Sequence, residues 1–260
     1  MDSEQMQFFY EIFDASLPRL GPGDDAYTRK ALEILVSAKK HPKIDLRQKR
    51  LNVLDIGCGN GAQTIQLAKQ IDAEILAVDN HQPYLTALQQ RAEAAGVAHK
   101  IQVCQKDMAE LGQEHRSYDL IWSEGALYSM GFNAGLAMCA NFLVDQGQLA
   151  VSELCWFRPN PPEACQDYFA NEYPAMVDRD TNMQTIKQCG YELLGRLSLP
   201  DSAWMEGYYM PLEERLKSMR GKYAAEPEKM EIIEAVQVEI DMYRQYGQYY
   251  GYDFYLMQLP

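Results

Sequence analysis

The sequence predicts a doubly wound α/β fold, and three observations predict it. Short apolar runs alternate with helix-period stretches between residues 51 and 153, the pattern of a parallel sheet with helices on both faces. A glycine-rich loop joins the first of these strands directly to the first of these helices. A strand-like aromatic segment, residues 252–257, closes the chain after a long helical stretch.

Each element follows from its pattern. Phe8, Phe9, Ile12, Phe13 and Leu17 keep helical spacing on one face. Gly21-Pro22-Gly23-Asp24-Asp25 breaks that helix and can cap a second one over about 27–39. Strands are expected at 51–56, 74–78, 101–104, 118–122 and 147–153, with helices at 62–70, 83–95 and 132–142. A short helix should end at 184–189, a sixth strand should span 191–199, and helices should fill 212–246. One domain is the simplest account. It has an N-terminal helical cap (1–45), a core sheet (50–199), a helical insertion (200–248) and a last strand (251–258).

The chain has 260 residues, 47% of them apolar, enough for one sizeable core. Its formal net charge is -13, which repels nucleic-acid phosphates and anionic lipid headgroups. Neither nucleic-acid binding nor stable membrane association is therefore expected. The local basic stretch of Lys39, Lys40, His41, Lys43, Arg47, Lys49 and Arg50 reads as a solvated helix end and loop. No apolar run is long enough to cross a bilayer, and the start Met1-Asp2-Ser3-Glu4-Gln5 is unlike a secretory signal. A cytoplasmic location is expected. Cysteines at 58, 104, 139, 155, 165 and 189 form no Cys-x-x-Cys pair, and His41, His81, His99 and His115 are scattered. No metal is expected, and the thiols read as small, reduced and mostly buried.

The chemistry concentrates just past three successive strands. Asp55 ends the first, followed by Gly57, Cys58, Gly59, Asn60 and Gly61. Alternate glycines let the backbone turn tightly and let a ligand approach, while the next helix offers unpaired N–H groups. Alone, such a loop is also an ordinary tight turn. The second strand ends in Asp79-Asn80, where an acid can accept both hydroxyls of a ribose or simply cap a helix. The third is followed by Asp107-Met108, where an acid can accept from an adenine amine beside an apolar neighbour. Together the three features point at one crevice.

The run from Val53 to Gly61 resembles the first motif of class I S-adenosylmethionine-dependent methyltransferases. The resemblance implies a seven-stranded Rossmann-like sheet whose last strand runs antiparallel beside the sixth. It also implies that the cofactor is S-adenosylmethionine, released as S-adenosylhomocysteine, and that the Gly57–Gly61 loop wraps its methionine part. Asp79 would bind the ribose and Asp107 the adenine amine, with Met108 beside the ring. Asp55, Asn80, Ser123 and Glu124 complete the expected cofactor set. The segment from Tyr118 to Tyr128, Gly21-Pro22-Gly23 with Thr28-Arg29-Lys30, and Tyr249 to Tyr252 are similar to bacterial small-molecule methyltransferases related to the ubiquinone- and menaquinone-biosynthesis type. That relationship does not establish a quinone substrate.

Two other readings use the same loop. Gly57, Gly59 and Ala62 satisfy the dinucleotide fingerprint of an NAD(P)-dependent oxidoreductase. Asp107 has no role in that scheme, and the chain holds no Tyr-x-x-x-Lys pair. A non-catalytic cofactor-binding module is the other. The Asn-Pro-Pro-aromatic signature of nucleic-acid amino-methyltransferases is absent after the fourth strand, where Ser123-Glu124-Gly125-Ala126 stands. A small-molecule acceptor methylated by in-line transfer is expected, and homodimer formation is left open. Glu124 and Tyr128 are the expected catalytic pair. Phe8, Phe9, Tyr10, Trp156, Trp204, Tyr208 and Tyr209 are aromatic residues of the added helical parts. Tyr10, Tyr128, Trp156, Trp204 and Tyr208 are the expected acceptor contacts. An aromatic box with acidic surroundings would suit a cationic amine. A quinone, phenol, thiol or carboxylate would suit a semi-apolar pocket as well.

Overall fold

Alternating inward residues on each strand build the core from both faces of a single sheet. The computed structural model describes residues 3–37, 50–111 and 117–260. The parallel strands are β1 (Leu51–Ile56), β2 (Ala73–Asp79), β3 (Ile101–Gln105), β4 (Tyr118–Glu124) and β5 (Leu143–Trp156). β6 (Glu192–Ser198) and β7 (Tyr250–Gln258) complete a sheet of order β3-β2-β1-β4-β5-β7-β6, with β7 antiparallel to both neighbours. One face buries Val53, Ile75, Leu120, Trp122 and Phe254; the other buries Leu54, Ile56, Val78, Ile121 and Tyr255. Strands buried on both sides read as continuous apolar runs, which is why the central ones stand out in the sequence.

The crossovers are α3 (Ala62–Gln70), α4 (Gln82–Ala94) and α5 (Phe132–Phe142). Before the sheet come α1 (Ser3–Ile12) and α2 (Asp25–Ser37), and the amide of Ala26 donates to Asp24 Oδ1 at 2.6 Å where α2 begins. Between β5 and β6 lie α6 (Glu163–Glu172) and α7 (Arg179–Gln188). Between β6 and β7 lie α8 (Asp201–Trp204), a π-turn over Met205–Tyr209, α9 (Met210–Lys222) and α10 (Pro227–Tyr246). α1 leans on this last group: Phe8 meets Tyr223 edge-on at 5.0 Å, and the Tyr223 hydroxyl donates to Glu11 at 2.6 Å. β5 is longer than its sequence pattern, because pairing with β7 continues from Gln148 out to Trp156. The N-terminal basic stretch, except Arg50, lies outside the described residues, as do His41, His115 and the expected end of α2 at Lys39. Arg50 pairs with Glu74 at 3.0 Å on the surface.

Topology places the site. The C-terminal ends of β1, β2, β3, β4 and β5 share one edge, and the antiparallel β7 brings its beginning there. At β1 the chain turns into α3 through Gly61, whose φ is +84°. A Cβ there would stand 2.0 Å from Leu88 Cδ1 of α4. Gly61→Ala therefore combines left-handed strain with overpacking, each costing about 1–3 kcal/mol. Urea denaturation should show a loss of about 2–6 kcal/mol; wild-type stability would mean that α4 yields freely.

Candidate functional site

The loop after β1 is a chain of left-handed turns. Gly57 has φ +69° and Gly59 has φ +53°, conformations that cost other residues about 1 kcal/mol or more. A Cβ on Gly57 would lie 2.3 Å from the Ala126 Cβ, and one on Gly59 3.1 Å from Leu20 Cδ1. The amides of Gly57 and Cys58 both donate to the Val78 carbonyl, at 2.9 and 3.0 Å. Behind the loop, Asp55 is fully buried; it accepts from the Thr64 hydroxyl at 2.6 Å and from the Gln63 amide at 3.4 Å. Burial pushes its carboxyl up to about 7; the Thr64 bond opposes this and the Glu124 charge adds to it.

Asp79 reaches across from the end of β2. One oxygen accepts from the Gly59 amide and the other from the His81 amide, both at 2.9 Å. Burial raises its carboxyl, with those two amides opposing. His81 lies flat against Tyr10 at 3.6 Å, which brings α1 over the same edge. Past β3, Asp107 caps a one-turn helix by accepting from the Ala109 amide at 2.9 Å. Met108 follows, its sulfur 3.4 Å from the Ser129 hydroxyl.

Glu124, at the end of β4, is already engaged. It accepts from the Thr28 hydroxyl at 2.8 Å and the Trp122 indole at 2.9 Å, and Arg19 stands 3.3 Å away. Arg19 also pairs with Asp25 at 2.7 Å. These bonds tie the segment between α1 and α2 to the sheet. Asn60 donates to the Leu17 carbonyl at 2.7 Å, Arg91 to Ala15 and Leu17 at 2.9 and 2.8 Å, and Tyr84 to Phe13 at 2.5 Å.

A cavity of about 890 Å³ opens at this edge, within the range of small-molecule and cofactor sites. One half is lined by Gly57, Cys58, Gly59, Asn60, Asp79, Asn80, Asp107 and Met108. The other half is aromatic, with Tyr168 and Tyr173 from around α6, Trp204, Tyr208 and Tyr209 from α8 and the π-turn, and Tyr250 and Tyr252 from β7. The π-turn carries two consecutive buried tyrosines, Tyr208 and Tyr209. Trp204 is sandwiched between Tyr243 at 4.4 Å and Tyr252 at 5.1 Å. Glu239 of α10 lines the same half and accepts from the Tyr209 hydroxyl at 2.9 Å. Behind the wall, Glu153 is buried; one oxygen accepts from the Tyr173 hydroxyl at 2.5 Å and the other has no partner. Burial pushes Glu153 up to about 7.

The expected residues divide accordingly. Tyr10, Tyr128, Trp204, Tyr208 and Glu124 line the cavity, and Tyr128 is 45% exposed at its mouth. Asp55, Gly61, Ser123 and Trp156 do not line it. The Ser123 hydroxyl is spent on the Ile56 carbonyl at 2.9 Å, and Trp156 packs edge-on against Phe169 at 5.4 Å. Sequence reasoning missed Glu153, Tyr173, Glu239 and Tyr252. An available signal was Glu239 sitting inside the apolar stripe Val236, Ile240, Tyr243 of α10. Among the described residues no group of His, Cys, Asp or Glu is arranged to hold a metal, and no helix is long and apolar enough to cross a membrane.

Residues 53–147 match the family model of a methyltransferase domain. The sterol 24-C-methyltransferase erg6 of Aspergillus fumigatus is 23% identical over 186 residues, covering 65% of this chain and 47% of that protein. The chain thus spans about half the length of the curated relatives it matches. A S-adenosylmethionine-dependent methyltransferase from Geobacter sulfurreducens, solved with S-adenosyl-L-homocysteine, superposes with a TM-score of 0.79 at 17% identity, covering 98% of both chains. One from Thiobacillus denitrificans, also with S-adenosyl-L-homocysteine, gives 0.79 at 18% identity over 97% of this chain and 98% of that one. The fold is the Rossmann-like methyltransferase fold.

The carboxyls around the cavity make stability depend on pH in a definite sense. Asp55 and Glu153 (both to about 7), Asp79 and Glu239 are all raised, chiefly by burial. Folding then takes up protons between about pH 4 and 7, so stability falls as pH rises through that window. Glu213, held down to about 2 by Arg244, loses its contribution only at far lower pH, while His81, lowered by burial, works weakly the other way. The ligand-free protein should melt at a higher temperature at pH 5.5 than at pH 8, and Asp55→Asn should shrink that difference. Calorimetry showing a flat or opposite trend would contradict the assignment.

Proposed function

We propose that this chain, which carries a class I S-adenosylmethionine-dependent methyltransferase domain in the Rossmann-like fold, transfers a methyl group to a small-molecule acceptor held in the aromatic half of its cavity. The observation that carries this reading is the convergence of Gly57–Asn60, Asp79 and Asp107–Met108, from three successive strand ends, on one half of one cavity. The residues suit the cofactor. Gly57 and Gly59 present backbone without Cβ atoms, and Asp79 and Asp107 are hydrogen-bond acceptors for hydroxyls and an amine. Met108 offers an apolar surface for a ring. When bound, S-adenosylmethionine supplies an electrophilic methyl group on a sulfonium.

What the chain must do is bind, orient and exclude water. Alignment of acceptor and methyl group contributes about 7–11 kcal/mol in the best intramolecular cases. Aromatic walls remove water from the acceptor. We assign the proton-accepting role to Glu153, reached through the Tyr173 hydroxyl as a relay, rather than to Glu124. Glu124 accepts hydrogen bonds from Thr28 and Trp122 and pairs with Arg19, so it acts as a clamp on the N-terminal segment. Tyr173 lines the cavity, and its hydroxyl proton already points to a carboxylate with a free oxygen. The sterol acceptor named for a curated relative supports small molecules as the acceptor class. The acidic net charge favours such an acceptor over nucleic acid.

Calorimetry with S-adenosylhomocysteine tests the reading directly, and saturable one-site binding is expected. Asp79→Ala removes two ribose acceptors and one clamp on Gly59, and should weaken that binding at least tenfold with the fold retained. Absence of binding to the intact chain would sink the proposal; unchanged affinity in the variant would remove Asp79 from the ribose.

A further inference from the structure

We propose that the aromatic half of the cavity is a cation site, and that the acceptor it takes is a small amine that enters as its ammonium ion, countered by Glu239, and is methylated once its proton has passed through Tyr173 to Glu153. This rests on the reading of that half as the acceptor chamber. Its walls are π-rich, with Tyr168, Tyr208, Tyr250, Tyr252 and Trp204 all lining it. Aromatic rings attract ammonium groups through their quadrupoles, and more strongly where water is excluded.

Glu239 supplies the net charge. It is only partly exposed, and Tyr209 is its hydrogen-bond donor. Among the described residues no Lys or Arg pairs with it, and the cations lining the cavity are Arg19 and Lys106. Arg19 is committed to Glu124 and Asp25, and Lys106 follows β3 beside Asp107, in the cofactor half. A carboxylate facing an aromatic chamber without a protein counter-ion is costly unless a ligand brings one. Burial accordingly raises the Glu239 carboxyl, and Glu172, more exposed on the same wall, adds to the rise. A bound cation would reverse that rise.

Trp204 lines the same wall, and its indole Nε1 is shut off from the cavity, so it meets a ligand through its ring atoms alone. A neutral ring or lipid chain would leave Glu239 without a counter-charge.

The test compares two probes of one shape on the full chain by calorimetry: choline and 3,3-dimethylbutan-1-ol, in which carbon replaces the charged nitrogen. Choline should bind at least tenfold more tightly. Glu239→Gln, shown folded by its melting curve, should abolish that preference, and Glu239→Asp should keep part of it. Equal binding of the two probes would overturn the proposal, as would binding of neither by a chain that binds S-adenosylhomocysteine. Retention of the preference in Glu239→Gln would overturn the assignment of Glu239. Failure to bind S-adenosylhomocysteine would instead count against the methyltransferase reading, since the probe comparison is made without it.

Discussion

The left-handed loop between β1 and α3 is the constraint around which the rest of the molecule is fitted. Three glycines at positive φ leave no side chains on its concave side, and the neighbours close in to contact distance. Ala126 presses on Gly57, Leu20 on Gly59 and Leu88 on Gly61. Each neighbour comes from a different part of the chain: the turn after β4, the segment before α2, and α4. The loop is therefore a packing junction as well as a wall of the cavity. Its rigidity also comes from hydrogen bonds, with Val78 and Asp79 of β2 accepting from Gly57, Cys58 and Gly59. A cradle held from outside keeps its backbone in one shape before any ligand arrives, and such preorganisation removes part of the entropic cost of binding.

The same junction explains how the N-terminal segment comes to cover the cavity. That segment has few regular hydrogen bonds of its own between Phe13 and Pro22. Its carbonyls at Phe13, Ala15 and Leu17 are instead satisfied by Tyr84, Arg91 and Asn60. Buried carbonyls without partners would be expensive, so these side chains set the path of the segment. Arg19 then fixes the exit by pairing with Glu124 and Asp25. Two residues that read from sequence as cofactor contacts, Asn60 and Glu124, thus act at least as strongly on the covering segment.

Much of the sheet was legible because parallel strands buried on both faces produce continuous apolar runs, and because β1, α3 and α5 begin and end where the pattern changes. The half of the cavity lined by the glycine loop, Asp79 and Asp107 was legible for a related reason: its residues sit immediately after strand ends, so local sequence fixes their place. The aromatic half was not. Tyr168, Tyr173, Tyr250 and Glu239 meet only through tertiary packing of α6, β7 and α10, and no local spacing encodes that meeting. Trp156 shows the limit from the other side. It stands two residues past Leu154, where its strand lines the cavity, and packs against Phe169. Ser123 fails for the opposite reason, since β4 continues through Glu124 and keeps its hydroxyl within the sheet.

The antiparallel last strand joins these two halves. A parallel β7 would present its end, residues Met257 and Gln258, at the edge where the loop lies. Running the other way, it presents Tyr250 and Tyr252, and it lets the helical insertion return to that edge with Trp204, Tyr208 and Glu239. The aromatic half of the cavity is thus built by elements that have no part in the glycine loop, and its chemistry can change without disturbing that loop. The charge distribution follows the same division. Glu124 is neutralised by Arg19, whereas Asp55, Asp79, Glu153 and Glu239 are all raised by burial. A site surrounded by carboxyls that resist ionisation is stabilised by ligands that bring positive charge, and a sulfonium cofactor is one. Binding such a ligand lowers those carboxyl pKa values and releases protons, so ligand affinity and proton binding are coupled through the same buried acids.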